Sequence, residues 1–137
     1  MNQTDAAAMC DMEGAKLVTI ETEEEDNFLN GLFDKARDDG ILATGSRNVL
    51  NTDIWVGAMR TSVYTPFYWS SGEPVNYTNW HQGHPKDLWP YNGGALALCI
   101  QSFRNNGNAW KWGTSNCDGL DIDNAYACEK EGKYYEF

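Results

Sequence analysis

A chain of 137 residues with 42% hydrophobic and 22% charged side chains can bury one core, is too short for two, and is not disordered by composition. Its formal net charge of −10 repels a phosphate backbone and no basic patch interrupts the acidity, which excludes nucleic acid as a partner. No apolar run approaches the length of a membrane span, and Asn2-Gln3-Thr4-Asp5 after Met1 lacks the basic and then apolar start of a signal peptide.

In chain order, Thr4 is placed to cap a short helix over residues 5–13, which carries Cys10 and stops at Gly14. Residues 15–20, with Leu17, Val18 and Ile20 apolar, read as a brief strand. Thr22-Glu23-Glu24-Glu25 is a capping box whose acidic turn suits the positive end of a helix dipole. Phe28, Leu29, Leu32, Phe33 and Ala36 then recur at helical spacing as one apolar face, and Asp38-Asp39-Gly40 ends this second helix. Because capping already accounts for the Glu/Asp run, we read it as a solvated first turn rather than a cation site.

Residues 41–52 form a polar connector, 53–60 a strand with Ile54-Trp55-Val56-Gly57, and 66–69 a second short strand ending at Ser70-Ser71-Gly72. From 73 to 94 there is little periodicity and much Pro, Gly, Asn and Trp, with both histidines, His81 and His84, inside it. Long ordered loops on rigid scaffolds tend to carry function. Residues 95–103 are an apolar strand, Asn105-Asn106-Gly107-Asn108 a hairpin turn, 109–112 the returning strand, 118–124 an acidic turn and 125–130 the last strand. Two helices followed by mostly antiparallel strands make an α+β pattern.

The four cysteines, at 10, 99, 117 and 128, contain no CxxC pair, which argues against zinc and thioredoxin-type chemistry and for two disulfides with three pairings open. Two sequons, at Asn2 and Asn76, join them in pointing to an oxidising, extracellular setting with glycosylation at both asparagines. A secreted chain without a signal peptide reads as a mature form or a fragment.

An ordered set of residues now carries a resemblance: Ala8, Cys10 and Gly14-Ala15-Lys16-Leu17 before a Glu-rich helix; Trp55-Val56-Gly57-Ala58; Trp69, Gly72, Pro74, Tyr77 and Asn79-Trp80; then Cys99, Trp112, Cys117 and Cys128. Over nearly its whole length the chain resembles a C-type lectin-like domain. The resemblance implies a single domain over 1–137, with two helices packed on small antiparallel sheets and an upper long-loop half over 67–114. It also implies the pairings Cys10–Cys128 and Cys99–Cys117, a cis Pro85, and core positions for Trp80 and Trp112. Members of the family usually begin with a strand ahead of the first helix. This chain starts almost at the helix, and its tail, 132–137, is the candidate to cover the sheet edge left open.

Sugar-binding members chelate calcium through a carboxylate-Pro-Asn/Asp triplet, a Glu two residues before the second cysteine, and an Asn-Asp pair after a strand tryptophan. The matching positions here are His84-Pro85-Lys86, Ala97 and Gly113-Thr114, and at the neighbouring calcium site Leu98 replaces an acidic residue while Asp87 remains. Calcium needs several oxygen ligands, carboxylates among them, so the chain is expected to use neither calcium nor any other cofactor. His81, His84 and Asp87 at three-residue spacing have no helix to align them and read as polar loop residues rather than zinc or copper ligands.

The expected function is an extracellular recognition module that binds a protein or glycan ligand without calcium. The candidate contacts are His84, Lys86, Asp87, Trp89, Tyr91 and Thr114. The alternatives are a structural or matrix subunit of a larger extracellular assembly, and a lectin that holds sugars by aromatic stacking. With both histidines on one loop and no reactive cysteine, no catalytic triad or carboxylate pair suggests itself, and an enzyme is not expected.

Overall fold

Asn2, in extended conformation, starts the first helix: its side chain accepts from the Asp5 N–H at 2.8 Å, and α1 runs Gln3–Met12. This corrects the cap expected at Thr4, which lies in the first turn with its hydroxyl 3.4 Å from Asp118. Both residues have capping side chains, and only the one preceding the turn can reach its free N–H groups. Gln3, Ala6 and Cys10 share the buried face of α1. The Gln3 amide donates to the carbonyls of Val56 and Ala58 and so docks the helix on the central strand. The computed structural model describes residues 1–40, 53–89, 95–104, 109–118, 124–131 and 134–137. The connector over 41–52, the hairpin turn over 105–108 and most of the acidic turn over 118–124 lie outside them.

After β1 (Lys16–Leu17), α2 runs Glu23–Asp38 with Thr22 accepting from the Glu25 N–H at 3.1 Å, as its capping box predicts. Asp26, Leu29, Phe33 and Ala36 form its buried face. Phe28 does not join them: it is exposed and packs on Tyr135 at the domain rim, ring centroids 5.9 Å apart.

The main sheet is built on β2 (Asp53–Met59). It pairs antiparallel with β3 (Tyr68–Trp69) and with β6 (Cys99–Phe103), and β6 pairs in turn with β7 (Lys111–Ser115). β8 (Ala125–Tyr126) runs parallel to β2 at Ile54 and Trp55. The strand expected over 125–130 is therefore two: at Ala127 the chain leaves β2, and β9 (Cys128–Lys130) joins β1 in a second sheet. On the other edge of β9 lies β10 (Tyr134–Glu136), so the tail does pair with the C-terminal strand. Likewise the strand expected over 95–103 is β5 (Ala95–Leu96), paired with β4 (Leu88–Trp89), and then β6 after a break at Ala97 and Leu98.

Gly57 lets the two sheets meet. Its N–H donates to the Val18 carbonyl at 2.9 Å, and a Cβ there would lie 2.8 Å from the Leu17 oxygen and 2.9 Å from the Ser70 hydroxyl. The larger core, with Val18, Leu29, Phe33, Ile54, Val56 and Ile100, centres on Trp69 and Trp112, which meet edge to face at 5.8 Å. A smaller cluster around Trp55 contains Cys10, Cys99 and Cys128. The disulfides are Cys10–Cys128 and Cys99–Cys117, the pairings implied by the resemblance.

Candidate ligand-binding loop

The loop that carries the histidines is anchored at its entry by one buried carboxylate. Asp26 Oδ2, on α2, accepts from the Tyr77 hydroxyl at 2.7 Å and from the Asn79 amide at 2.8 Å. Burial raises the Asp26 pKa, opposed by these hydrogen bonds, and burial with the Asp26 bond pushes the Tyr77 hydroxyl up. The chain then bonds to β7 on both sides of one residue: Trp112 N–H donates to the Asn79 carbonyl at 2.7 Å, and His81 N–H donates to the Trp112 carbonyl at 2.8 Å. Trp80, half-buried between them, packs on Phe67 and Trp112.

Beyond this anchor the chain turns through a cis His84–Pro85 bond. His84 Nδ1 accepts the backbone N–H of Thr114 at 3.0 Å, which places the proton of the neutral ring on Nε2. Burial, with the charges of Lys86 and His81 adding to it, lowers the His84 pKa to about 4, so the ring is neutral at physiological pH. The rings of His81 and His84 both pack on Phe103, at 5.1 and 5.8 Å. Gly113 makes room for this arrangement: a Cβ there would lie 2.6 Å from Phe103 Cε1 and 3.0 Å from His84 Cε1.

The Thr114 hydroxyl fastens the next residue, accepting from the Lys86 N–H at 2.7 Å and donating to the Lys86 carbonyl at 2.9 Å. A second clamp comes from Arg60, just after β2, whose guanidinium donates to the Lys86 carbonyl at 2.9 Å and twice to the Ala97 carbonyl, at 2.9 and 3.3 Å. Arg60 is 5% exposed, stacks 4.6 Å over the Phe67 ring and has Asp87 Oδ1 at 3.7 Å. Burial lowers its pKa and Asp87 partly offsets this, and a guanidinium stays charged at neutral pH. The Ala97 N–H closes the set on the Asp87 carbonyl at 2.9 Å.

The structure distributes the expected contact residues unevenly. Lys86 and Asp87 are exposed, and His84 is half-buried. Thr114, expected at the ligand-facing surface, is 0% exposed; its hydroxyl holds the loop from within. The backbone of Trp89 lies in β4 opposite Ala95, and Tyr91 is outside the described residues. Of the sequon asparagines, Asn2 is the half-buried helix cap and Asn76 is exposed. Sequence reasoning placed Arg60 as the last residue of the strand over 53–60 and passed over it as a site residue, whereas β2 ends at Met59. It also passed over Leu88 and Leu96, a cross-strand pair 51% and 49% exposed.

The positions matched to the family's calcium ligands do not fit calcium. Both acceptor sites of the Lys86 carbonyl are taken, by Thr114 and Arg60, and the Ala97 carbonyl is occupied by Arg60. His84 Nδ1 is occupied by Thr114, and of the matched positions only Asp87 carries a carboxylate. Among the described residues no group of three or more His, Cys, Asp or Glu side chains is placed to hold a metal ion.

The family model of the lectin C-type domain matches residues 1–130. The chain belongs to the C-type lectin domain family. This C-type lectin domain is 29% identical over 123 residues to the low affinity immunoglobulin epsilon Fc receptor of Mus musculus, a match that covers 90% of the chain but 29% of the receptor. The chain therefore spans less than a third of that relative. Among solved structures it is similar to the murine dendritic cell inhibitory receptor 2 C-type lectin domain in complex with N-glycan, with TM-score 0.64, 18% identity, and 93% of this chain and 80% of that one covered. It is also similar to a calcium-independent C-type lectin from Saxidomus purpuratus, with TM-score 0.60, 21% identity, and 86% and 72% covered. At these identities the structural likenesses show the fold. Among the described residues no helix is long and apolar enough to cross a membrane.

Proposed function

We propose that this C-type lectin domain is a secreted, non-catalytic recognition module that binds a protein or glycan ligand without calcium, through the long-loop half of a single domain. The observation that supports this reading is the occupied state of the loop. His84, Lys86, Ala97 and Thr114, the positions matched to calcium ligands, are bonded to one another and to Arg60. A loop closed by protein groups does not need a metal to give it shape. The calcium-independent relative from Saxidomus purpuratus is a precedent within the fold, and the N-glycan held by the murine receptor domain supports glycan as a ligand class.

The contact residues in this reading are Lys86, Asp87 and the edge of His84, with Trp89 and Tyr91, which follow in the sequence, as further candidates. Thr114 supports the loop from beneath. Leu88 and Leu96, side by side and each about half exposed, favour a protein partner, because aliphatic side chains lack the flat face on which a sugar ring stacks. Exposed Asn76, and the Asn2 sequon, suit a glycosylated extracellular chain.

Glycan-array binding of the wild type and of a Lys86→Ala, Asp87→Ala double variant, each in calcium and in EDTA, tests the reading. Signals unchanged by EDTA and lost in the variant support a calcium-free glycan site on this face. Silence under all conditions leaves protein as the ligand class. Binding that appears only with calcium overturns the proposal.

A further inference from the structure

The strongest unassigned feature is a buried cation. Arg60, just after β2, joins two segments of the long-loop half: it meets the carbonyl of Lys86 and the Asp87 carboxylate from the histidine loop, and the carbonyl of Ala97 from the break between β5 and β6. Its ligands are oxygen atoms, two carbonyls and one carboxylate, the type of donor set that a hard cation takes. Two of these residues, Lys86 and Ala97, occupy positions that the resemblance assigns to the family's calcium site.

We propose that the Arg60 guanidinium is a permanent internal cation that holds the binding loop where sugar-binding members of the family use calcium, which makes Arg60 a positioning residue for the ligand face. The inference rests on the calcium-free reading above and supplies its physical cause. A cation bound from solution holds its loop only at sufficient concentration, whereas a covalently attached one is always present. The planar fork matches this set of oxygens, since Nε and Nη2 both reach the Ala97 carbonyl while Nη2 also reaches that of Lys86. The Phe67 ring beneath the guanidinium fixes its plane by cation–π contact. Asp87 is 69% exposed at its side chain and solvent screens its charge, so charge balance for the buried guanidinium depends on the two carbonyl dipoles as well.

Two measurements on the full chain test this. In the wild type, the Arg60 guanidinium protons are read by nuclear magnetic resonance in EDTA. Resolved signals that exchange slowly with water are expected, and a single averaged, freely exchanging guanidinium overturns the proposal. The second measurement compares amide hydrogen exchange in the wild type and in Arg60→Lys, which keeps the charge and loses the fork. Exchange at Lys86, Ala97 and Thr114 should be roughly tenfold faster in the variant while Ile100 in β6 is unchanged. Equal exchange in both proteins overturns the proposal, and if the variant does not fold, the wild-type guanidinium signals decide. A calcium-induced change in wild-type loop exchange would instead defeat the calcium-free reading, so the two failures are distinguishable.

Discussion

Thr114 gives its backbone N–H to Nδ1 of His84 at 3.0 Å, which ties together two positions that the resemblance matches to the family's calcium ligands. The contact joins the first position of the loop triplet to the last position of the strand pair, and it needs two coordinated residue choices. His84 supplies an acceptor without charge, and Gly113 supplies the clearance, since a Cβ there would lie 3.2 Å from the same Nδ1.

Gly113→Asn restores the residue type of sugar-binding members but forces Phe103 and His84 apart. We expect a loss of about 1–3 kcal/mol in urea unfolding, typical of an overpacked interior, and no gain of calcium affinity. A variant as stable as the wild type would show that the rings can move aside freely.

His84 makes a pH prediction with a definite sign. Its folded pKa is lowered to about 4 from 6.5, so between these values the unfolded chain binds the proton that the folded chain refuses. Its contribution to stability is therefore full above pH 6.5, is lost progressively as pH falls, and is gone below about 4. Histidine ¹⁵N spectra should show Nε2 protonated and Nδ1 bare at neutral pH. An ordinary His84 titration near 6.5 would contradict the buried acceptor role.

Thr114→Val keeps the shape of the side chain and removes the hydroxyl, leaving the Lys86 N–H without its partner. The expected loss is about 1–3 kcal/mol, with Thr114→Ser, which keeps the hydroxyl, clearly milder. A larger loss in Thr114→Ser than in Thr114→Val would mean that the methyl group, rather than the hydrogen bonds, holds the loop.

The disulfides should contribute unequally. Cys10–Cys128 closes a separation of 118 residues and Cys99–Cys117 one of 18. Loop-closure entropy gives about 5 and about 3 kcal/mol, so the paired alanine variant of the first should have the lower urea midpoint.

Much of the fold was legible because local chemistry marked it. The Thr22 capping box and the spaced Leu29, Phe33 and Ala36 lie where pattern alone put them, and the cysteines pair as the family resemblance implied. The misses came from tertiary competition. Phe28 fits the apolar stripe, but its position on α2 faces the rim and Tyr135. The continuous apolar run over 95–103 is broken because the Ala97 and Leu98 carbonyls turn to Arg60. Asn2 and Thr4 are equally good caps on paper, and only backbone conformation chooses between them. At the candidate site, the loss of calcium-type side chains was readable from His84, Ala97 and Gly113. The bonds that hold the loop were not, because those of Arg60 and Thr114 go mainly to backbone atoms, which the sequence does not display.

The central claim is that protein groups, not calcium, shape this loop. Calorimetric titration of the wild type with calcium, paired with melting curves in calcium and in EDTA, tests it most directly. We predict no saturable heat and the same melting temperature in both solutions. A binding heat with a dissociation constant in roughly the micromolar to millimolar range, with a higher melting temperature in calcium, would contradict it.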